Sequence, residues 1–437
     1  VEYRAVEQAI MDRGVEWDFD PTLDRVRALM ELLGDPQKSF PVIHIAGTNG
    51  KTSTARMTEA LLRARNLRVG RYTSPHLTSI RERISVDGEP LSEERFTEVY
   101  LDIAPYLEII DAKTGRLSFF EVLTAMAFAA FADAPVDIAV IETGMGGTWD
   151  ATNIADGTVA VITPISLDHT EYLGPDVETI AGEKAGIIKP GATVVLGQQP
   201  LPAAEVLMRR VAEVGATVAR EGLEFGVLHR ELGMGGQLLQ LRGLNGVYED
   251  VFLPLYGEHQ ASNAATALAA VEALSGAGDP LGDDLVKQGF AEATSPGRLE
   301  IVKRGPTVVL DAAHNPGGME ATVDGLTESF GFTRLVAVVA MMADKDIDTI
   351  LELLEPVAEE LVVTRNSSPR SMEPEELAAR AESVFGPDRV HVAERLDDAI
   401  DIAVGLADQG DEFGSGVLIT GSVVTAGDAR VLLKGGK

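Results

Sequence analysis

The stretch that decides the fold is Pro41-Val42-Ile43-His44-Ile45-Ala46-Gly47-Thr48-Asn49-Gly50-Lys51-Thr52-Ser53. A short β-rich apolar run ends in glycines. From Lys51 to Arg65 the apolar residues Ala55, Met57, Leu61 and Leu62 then fall at helical spacing. A strand, a glycine loop and a helix in that order is the setting a phosphate loop requires. The glycines let backbone N–H groups turn inward toward phosphate oxygens, and the helix N-terminus adds positive potential. Lys51 supplies a mobile charge for the β- and γ-phosphates, and Thr52 a hydroxyl near Mg²⁺. The loop departs from G-x-x-x-x-G-K-[ST] at its first position, which is Ile45. By itself it implies phosphate binding and does not separate a kinase, a switch and a ligase.

Outward from the loop, Leu67–Tyr72 reads as a second strand, and Ser92–Ile110 and Phe119–Ala132 as helices. Val136–Ile141 and Thr158–Thr163 are apolar without alternation, as expected of strands buried on both faces. Alternating strands and helices imply a parallel sheet wrapped by helices. Residues 220–256 break the rhythm. Short alternating runs at Gln237–Leu241 and Val247–Leu255 predict a small antiparallel insertion, followed by an Ala-rich helix over Gln260–Leu274. After Thr294–Gly297, where Pro and Gly end a helix, strand candidates recur at Thr307–Leu310, Leu335–Ala340, Glu360–Thr364, Arg389–Val392 and Val417–Thr420. The expected fold is α/β: a doubly wound, mostly parallel phosphate-loop domain with an antiparallel insertion over residues 1–296, then a smaller Rossmann-like α/β domain over 297–437.

The 437 residues suit two or three domains. Lys plus Arg is 37 against 68 Asp plus Glu, a net charge of −31, so the surface repels nucleic acid and anionic lipid at long range. The longest apolar stretch, Val122–Ala132, is too short to span a membrane, which needs about 20 residues. No signal-peptide pattern opens the chain, although Val1 leaves a trimmed leader open. With no cysteine, disulfides and thiol nucleophiles are excluded, which suits a cytoplasmic enzyme.

Three further segments are expected at strand ends, the edge where doubly wound sheets bind ligands: Thr73-Ser74-Pro75-His76, Glu142-Thr143-Gly144-Met145-Gly146-Gly147 and Leu167-Asp168-His169-Thr170. Ser74, Glu142 and His169 together offer Mg²⁺ a hydroxyl, a carboxylate and an imidazole. Taken singly, Glu142 reads equally as a capping or salt-bridging residue, and His169 as part of a capped turn. Lys184, in Glu183–Lys189, has a helical position and a buried-looking neighbourhood that would lower its pKa. Chemistry alone favours a salt bridge with Glu183 or Asp168 over carbamoylation by CO₂.

Together with Gly47–Ser53, Thr73–Leu77, Asp150-Ala151-Thr152-Asn153, Leu167–His169, Glu183–Lys189, Pro296–Glu300 and Asp311-Ala312-Ala313-His314-Asn315-Pro316, the chain resembles the folylpolyglutamate synthase/dihydrofolate synthase family of the Mur ligase superfamily, and its bifunctional bacterial members in particular. The resemblance implies ATP, Mg²⁺ (two ions), glutamate and a pterin or folate as ligands, and a monomer. It implies that Thr48, Asn49, Gly50, Lys51, Thr52, Asn263, Arg298 and Asp311 bind ATP, and that Ser74, Glu142 and His169 bind metal. Lys184 matches the lysine carbamoylated in the family, and His314 and Ser422 lie where glutamate binds. Lys51, His169, Lys184 and His314 would then carry catalysis. Asp18, Phe19, Asp20, Ser118, Phe119, Phe120, Glu121, Trp149, Asp150 and Ala151 match the pterin-binding segments, where aromatic rings suit stacking. One of Phe119 and Phe120 is expected to be simply core.

Two positions depart from the family: Thr148 stands where arginine is usual, and Thr143 where valine is common. A cation lost beside an anionic ligand weakens binding by about 1–3 kcal/mol. A shifted substrate preference, an engineered change and compensation by Arg81 or Arg83 are the readings open. The activity implied is formation of an amide through an acyl phosphate, with Ser295-Pro296-Gly297 as the hinge of domain closure. The rivals are a Mur-type ligase acting on a cell-wall precursor and a nucleotide-binding protein without ligase activity.

Overall fold

The computed structural model describes residues 1–14, 21–276, 278–410 and 413–435. The expected pterin residues Asp18, Phe19 and Asp20 lie outside them. Val42–Ala46 forms a strand buried at every residue, the result of an apolar run with no polar face. It lies inside an eight-stranded sheet ordered Glu89–Pro90, Ile84–Val86, Val69–Tyr72, Ile138–Glu142, Val42–Ala46, Val159–Ile162, Thr193–Leu196, Thr217–Arg220. The last six run parallel, and the first two form an antiparallel edge. Thr193–Leu196 and Thr217–Arg220 extend the sheet beyond the strands named from sequence. Thr217–Arg220 is half polar and gives no apolar run, whereas Thr193–Leu196 has the same TVVL sequence as the strand Thr307–Leu310 and sequence reading simply missed it.

This order decides where the site lies. Val69–Tyr72, Ile138–Glu142, Val42–Ala46 and Val159–Ile162 are adjacent and parallel. At roughly 4.8 Å per strand, the four segments that follow them share one edge about 15 Å wide. The helices Lys51–Ala64 and Glu258–Ser275 pack on one face around Met57, Leu61, Ala264 and Leu268. On the other face Phe119–Asp133 buries Leu123, Met126 and Phe128. The antiparallel insertion is present, with Gly226–Gly233 as a third strand beside Gly236–Arg242 and Val247–Leu253.

A six-stranded sheet follows, ordered Glu300–Lys303, Thr307–Leu310, Ser415–Thr420, Arg334–Val339, Glu360–Val363, Val390–Val392, parallel except at its first strand. The segment joining the sheets is tied at both ends. Arg56 donates to the Thr294 carbonyl at 2.8 Å, and the Ser53 and Ser295 hydroxyls lie 2.7 Å apart. Beyond Pro296, Ala312 N–H donates to the Gly297 carbonyl at 2.8 Å and Leu299 N–H to Asp311 Oδ2 at 3.0 Å. Among the described residues no helix is long and apolar enough to cross a membrane.

Candidate active site

The strand-end segments and the second sheet enclose one cleft of about 1130 Å³. Every site residue named from sequence that falls within the described residues lines it: Thr48, Asn49, Gly50, Lys51, Thr52, Ser74, Ser118, Phe119, Phe120, Glu121, Glu142, Trp149, Asp150, Ala151, His169, Lys184, Asn263, Arg298, Asp311, His314 and Ser422.

The phosphate loop turns where only glycine fits. Gly47 has φ +144°, and a Cβ there would lie 1.8 Å from Thr163 Oγ1. Gly50, with φ +88°, opens the helix Lys51–Ala64. Lys51 Nζ donates to the Gly47 carbonyl at 3.0 Å. Ile45, at the position of the missing first glycine, is a fully buried strand residue, so the turn begins at Gly47.

Thr52 Oγ1 donates to the Glu142 carboxylate at 2.9 Å, and Ser74 N–H reaches the same group at 3.4 Å. Burial pushes the Glu142 carboxyl up to about 7, against the opposing pull of Lys51 and the Thr52 hydrogen bond. His169 takes a left-handed backbone conformation with φ 50°. Burial lowers its imidazole to about 3, so it is neutral and able to ligate. Among the described residues no three His, Cys, Asp or Glu side chains form a metal cage. The local donors are instead one carboxylate, hydroxyls and one imidazole. That incomplete set fits Mg²⁺, which completes its shell with phosphate oxygens and water.

Lys184 ends the helix Val177–Lys184 and is 3% exposed. The salt bridge expected from chemistry alone is not formed. Its Nζ donates to the Gly47 carbonyl at 2.6 Å instead, because Asp168 is engaged elsewhere. Burial, and then the charge of Lys51, lower the amine to about 7.

Asp168 is where the two sheets meet. It accepts from Lys345 Nζ at 2.8 Å and Asn315 Nδ2 at 3.0 Å, and His314 Nε2 lies 3.3 Å away. Burial alone would raise this carboxyl, but the His314 hydrogen bond and charge, with His169 and Lys345, hold it well below the usual carboxylate range. Asn315 also donates to Asn49 Oδ1 at 3.0 Å, joining the second domain to the phosphate loop. Sequence reading missed Lys345, Asn315 and Arg370, which all line the cleft or touch its lining. The signal was weak: Lys345 and Arg370 lie in loops after apolar strands, without a glycine pattern. Arg370 is paired with Asp344 at 2.7 Å.

Several expected ligand contacts already serve the chain itself. Asp311 accepts from Leu299 N–H, Ala313 N–H and Thr322 Oγ1 at 3.0, 2.9 and 2.7 Å. Ser422 caps the helix Val423–Lys434 by accepting from Val424 N–H. Asn263 donates to Gln260 at 3.0 Å. Ser118 and Glu121 form a capping box, and Glu121 pairs with Arg25 at 3.0 Å. Phe119 belongs to the core with the Arg83 guanidinium 5.0 Å above its ring, whereas Phe120 stacks on Tyr72 at 5.8 Å. Trp149 is 47% exposed at the rim. Thr148 does not line the cleft; its hydroxyl donates to the Glu183 carbonyl at 3.1 Å. Of the two compensating cations considered, Arg83 lines the cleft. Arg81 does not, and reaches the Leu91 carbonyl instead.

Residues 45–271 match the Mur ligase middle domain and 297–423 the Mur ligase glutamate ligase domain. The chain is 54% identical to the dihydrofolate synthase/folylpolyglutamate synthase of Mycobacterium tuberculosis, covering 98% of this chain and 93% of the relative. It superposes on the M. tuberculosis folylpolyglutamate synthase complexed with ADP with a TM-score of 0.96 and 53% identity, covering 100% and 98% of the two chains. It also superposes on the E. coli FolC in complex with DHPP and ADP with a TM-score of 0.87 and 31% identity, covering 99% and 98%. The chain therefore belongs to the dihydrofolate synthase/folylpolyglutamate synthase family of the Mur ligases.

Proposed function

We propose that this protein is an ATP-dependent ligase that joins L-glutamate to dihydropteroate and to reduced folates, acting as both dihydrofolate synthase and folylpolyglutamate synthase. The observation that carries the reading is the meeting at Asp168 of the metal-side loop of the first sheet with Lys345, His314 and Asn315 of the second. A nucleotide switch has no use for an ammonium and hydrogen-bonding side chains delivered from a second domain to the far wall of its phosphate site.

A substrate carboxylate oxygen attacks the γ-phosphorus of ATP, and the bond to the β-phosphate oxygen breaks to release ADP. The glutamate amine, having lost a proton, then attacks the acyl carbon, and the acyl–phosphate bond breaks to release phosphate. Lys51 and the loop N–H groups hold the phosphates. Asn263, Arg298 and Asp311 flank the nucleotide, and His314, Ser422, Lys345 and Arg370 face the amine substrate. Ser74, Glu142 and His169 would hold Mg²⁺, which when bound neutralises charge on the triphosphate. Lys184, with an amine at about 7, has the neutral form that reacts with CO₂, and its carbamate would serve a second ion. Trp149 and Phe120 offer the pterin ring its aromatic surfaces. Residues 297–437 act as the moving body and Ser295-Pro296-Gly297 as its hinge.

The test is glutamate-dependent ADP release with dihydropteroate, tetrahydrofolate and a UDP-muramoyl substrate, with mass analysis of the products. Turnover with both pterins is expected; turnover with the muramoyl substrate alone overturns the reading.

A further inference from the structure

His44 is the one polar residue in the strand Val42–Ala46, and it is fully buried. Its strand neighbours across the sheet are Ile141 and Ala160. Its Nε2 lies 2.8 Å from Thr152 Oγ1, while its Nδ1 is buried with no hydrogen-bond partner. That asymmetry assigns the tautomer: Nε2 carries the proton and donates it, and Nδ1 is bare. Protonation at Nδ1 would leave a buried donor unmatched, which agrees with burial pushing the imidazole down to about 3.

Thr152 has one hydroxyl proton, and that proton is committed to Asp150 Oδ2 in a short hydrogen bond. Thr152 N–H donates to the same oxygen at 3.1 Å. The other oxygen, Oδ1, accepts from Gly144 N–H and Met145 N–H, both at 2.9 Å. Asp150 N–H donates back to the Gly147 carbonyl at 3.2 Å. A single buried carboxylate thus closes the loop that starts beside Glu142 and presents Trp149. No ion pair offsets its charge among the described residues; burial raises its pKa, and these donors oppose that rise. Of the four donors that orient the carboxylate among the described residues, the Thr152 hydroxyl is the one side-chain donor, and His44 fixes the direction in which it points.

We propose that His44 is a positioning residue for the pterin subsite: through Thr152 and Asp150 it fixes the Gly144–Trp149 loop from beneath the sheet. The phosphate-loop residues that hold ATP, Gly47 to Thr52, make no bond in this chain of contacts, although its far end touches the Glu183 backbone, next to Lys184, through Thr148. Loss of the donor should therefore loosen the pterin wall and leave nucleotide affinity in place. The inference rests on the reading that Trp149 faces the pterin.

The experiment compares the whole chain with His44→Leu, His44→Gln and Thr152→Val. Each is made in a Trp17→Phe background, so that Trp149 is the remaining tryptophan. Binding of dihydropteroate is read by Trp149 fluorescence, nucleotide binding by calorimetry, and KM and kcat by ADP release. His44→Leu and Thr152→Val should weaken pterin binding and raise its KM by about 5- to 50-fold, with ATP affinity unchanged within about twofold. Glutamine keeps an N–H donor where Nε2 stands and should recover most of the loss. Equal pterin affinity in Thr152→Val and wild type overturns the proposal, as does a parallel loss of ATP affinity. Thr152→Val keeps the shape of the side chain, so it tests the relay even if His44→Leu fails to fold. Failure of the wild type itself to bind dihydropteroate would instead overturn the pterin reading.

Discussion

Replacing Lys345 by Met removes one cation from the cleft and leaves both hydrophobic cores intact. In the wild type the ammonium donates to Asp168 Oδ1 at 2.8 Å, with both side chains 8% exposed. A hydrogen bond between charged groups with so little access to water is worth about 1.5–3 kcal/mol. The figure stays below the roughly 3–5 kcal/mol of a stranded buried charge, because Asn315 and His314 still face Asp168 after the change. The two ends of this bond belong to different sheets, so its loss weakens their docking and not the folding of either. At about 1.4 kcal/mol per factor of ten, kcat/KM for ligation should fall by about 10- to 150-fold. ADP release at varied glutamate reports that number, and calorimetry with an unhydrolysable ATP analogue reports nucleotide affinity, expected within about twofold of wild type. The reasoning is refuted if kcat/KM is unchanged. It is equally refuted if the melting temperature drops sharply while the folded fraction keeps full activity, since the pair would then serve folding and not closure.

Glu142→Gln should abolish ligation yet stabilise the ligand-free protein at high pH. The native carboxyl holds its proton up to about 7, above its ordinary 4.5, so native stability declines as pH rises through that window. Glutamine removes a cost on the order of 3 kcal/mol above pH 7 and almost nothing below pH 4, which urea unfolding across pH will show. A stability difference independent of pH would count against it. Lys184→Met should lose ligation but retain ATP binding. Because burial lowers the native amine from 10.5 to about 7, it costs stability below about pH 7, and that cost fades as pH climbs to 10.5. The methionine variant should accordingly be the more stable one at neutral pH and lose its advantage in alkali; ¹³C-bicarbonate labelling should show a carbamate signal in wild type that this variant lacks. Gly47→Ala forces a side chain to within 1.8 Å of Thr163 Oγ1 in a left-handed backbone, so ATP binding measured by calorimetry should be lost. Wild-type affinity would show that the loop relaxes freely.

The parts of this fold that were legible in the sequence are those where one local pattern determines the outcome. Pro41–Ser53 carries an apolar run and a glycine turn in thirteen consecutive residues, and helical spacing follows directly, so strand, loop and helix could be placed from it. The antiparallel insertion was visible because its alternation breaks the surrounding rhythm. Lys345 and Arg370 were not legible, since their value comes from an approach of two sheets that no local spacing encodes. His44 was hidden for the opposite reason: inside PVIHIA it reads as a tolerated imperfection in a strand, and only the position of Thr152 gives it a partner. The duties of Asp311, Ser422 and Glu121 toward their own backbone were likewise invisible, because capping bonds form between residues whose side chains would also suit a ligand.

The tied linker has a geometric consequence. Thr294 and Ser295 are bonded to the phosphate-loop helix, while Gly297 and Leu299 are bonded to the second sheet, so the slack between the bodies is confined to the Pro296 junction. If this is the hinge proposed above, a joint that narrow would permit swinging and little sliding. Displacement then grows with lever arm. Arg298 and Asp311 would then sit near the pivot and travel least. Lys345 follows a strand two places farther along the sheet, about 10 Å out, and Arg370 follows one farther still, so they sweep the widest arc. On that proposed hinge, the nucleotide wall of the cleft and the nearby His314 would persist through opening, while Lys345 and Arg370 would reach the amine only when the arm is down, so ATP would bind before glutamate.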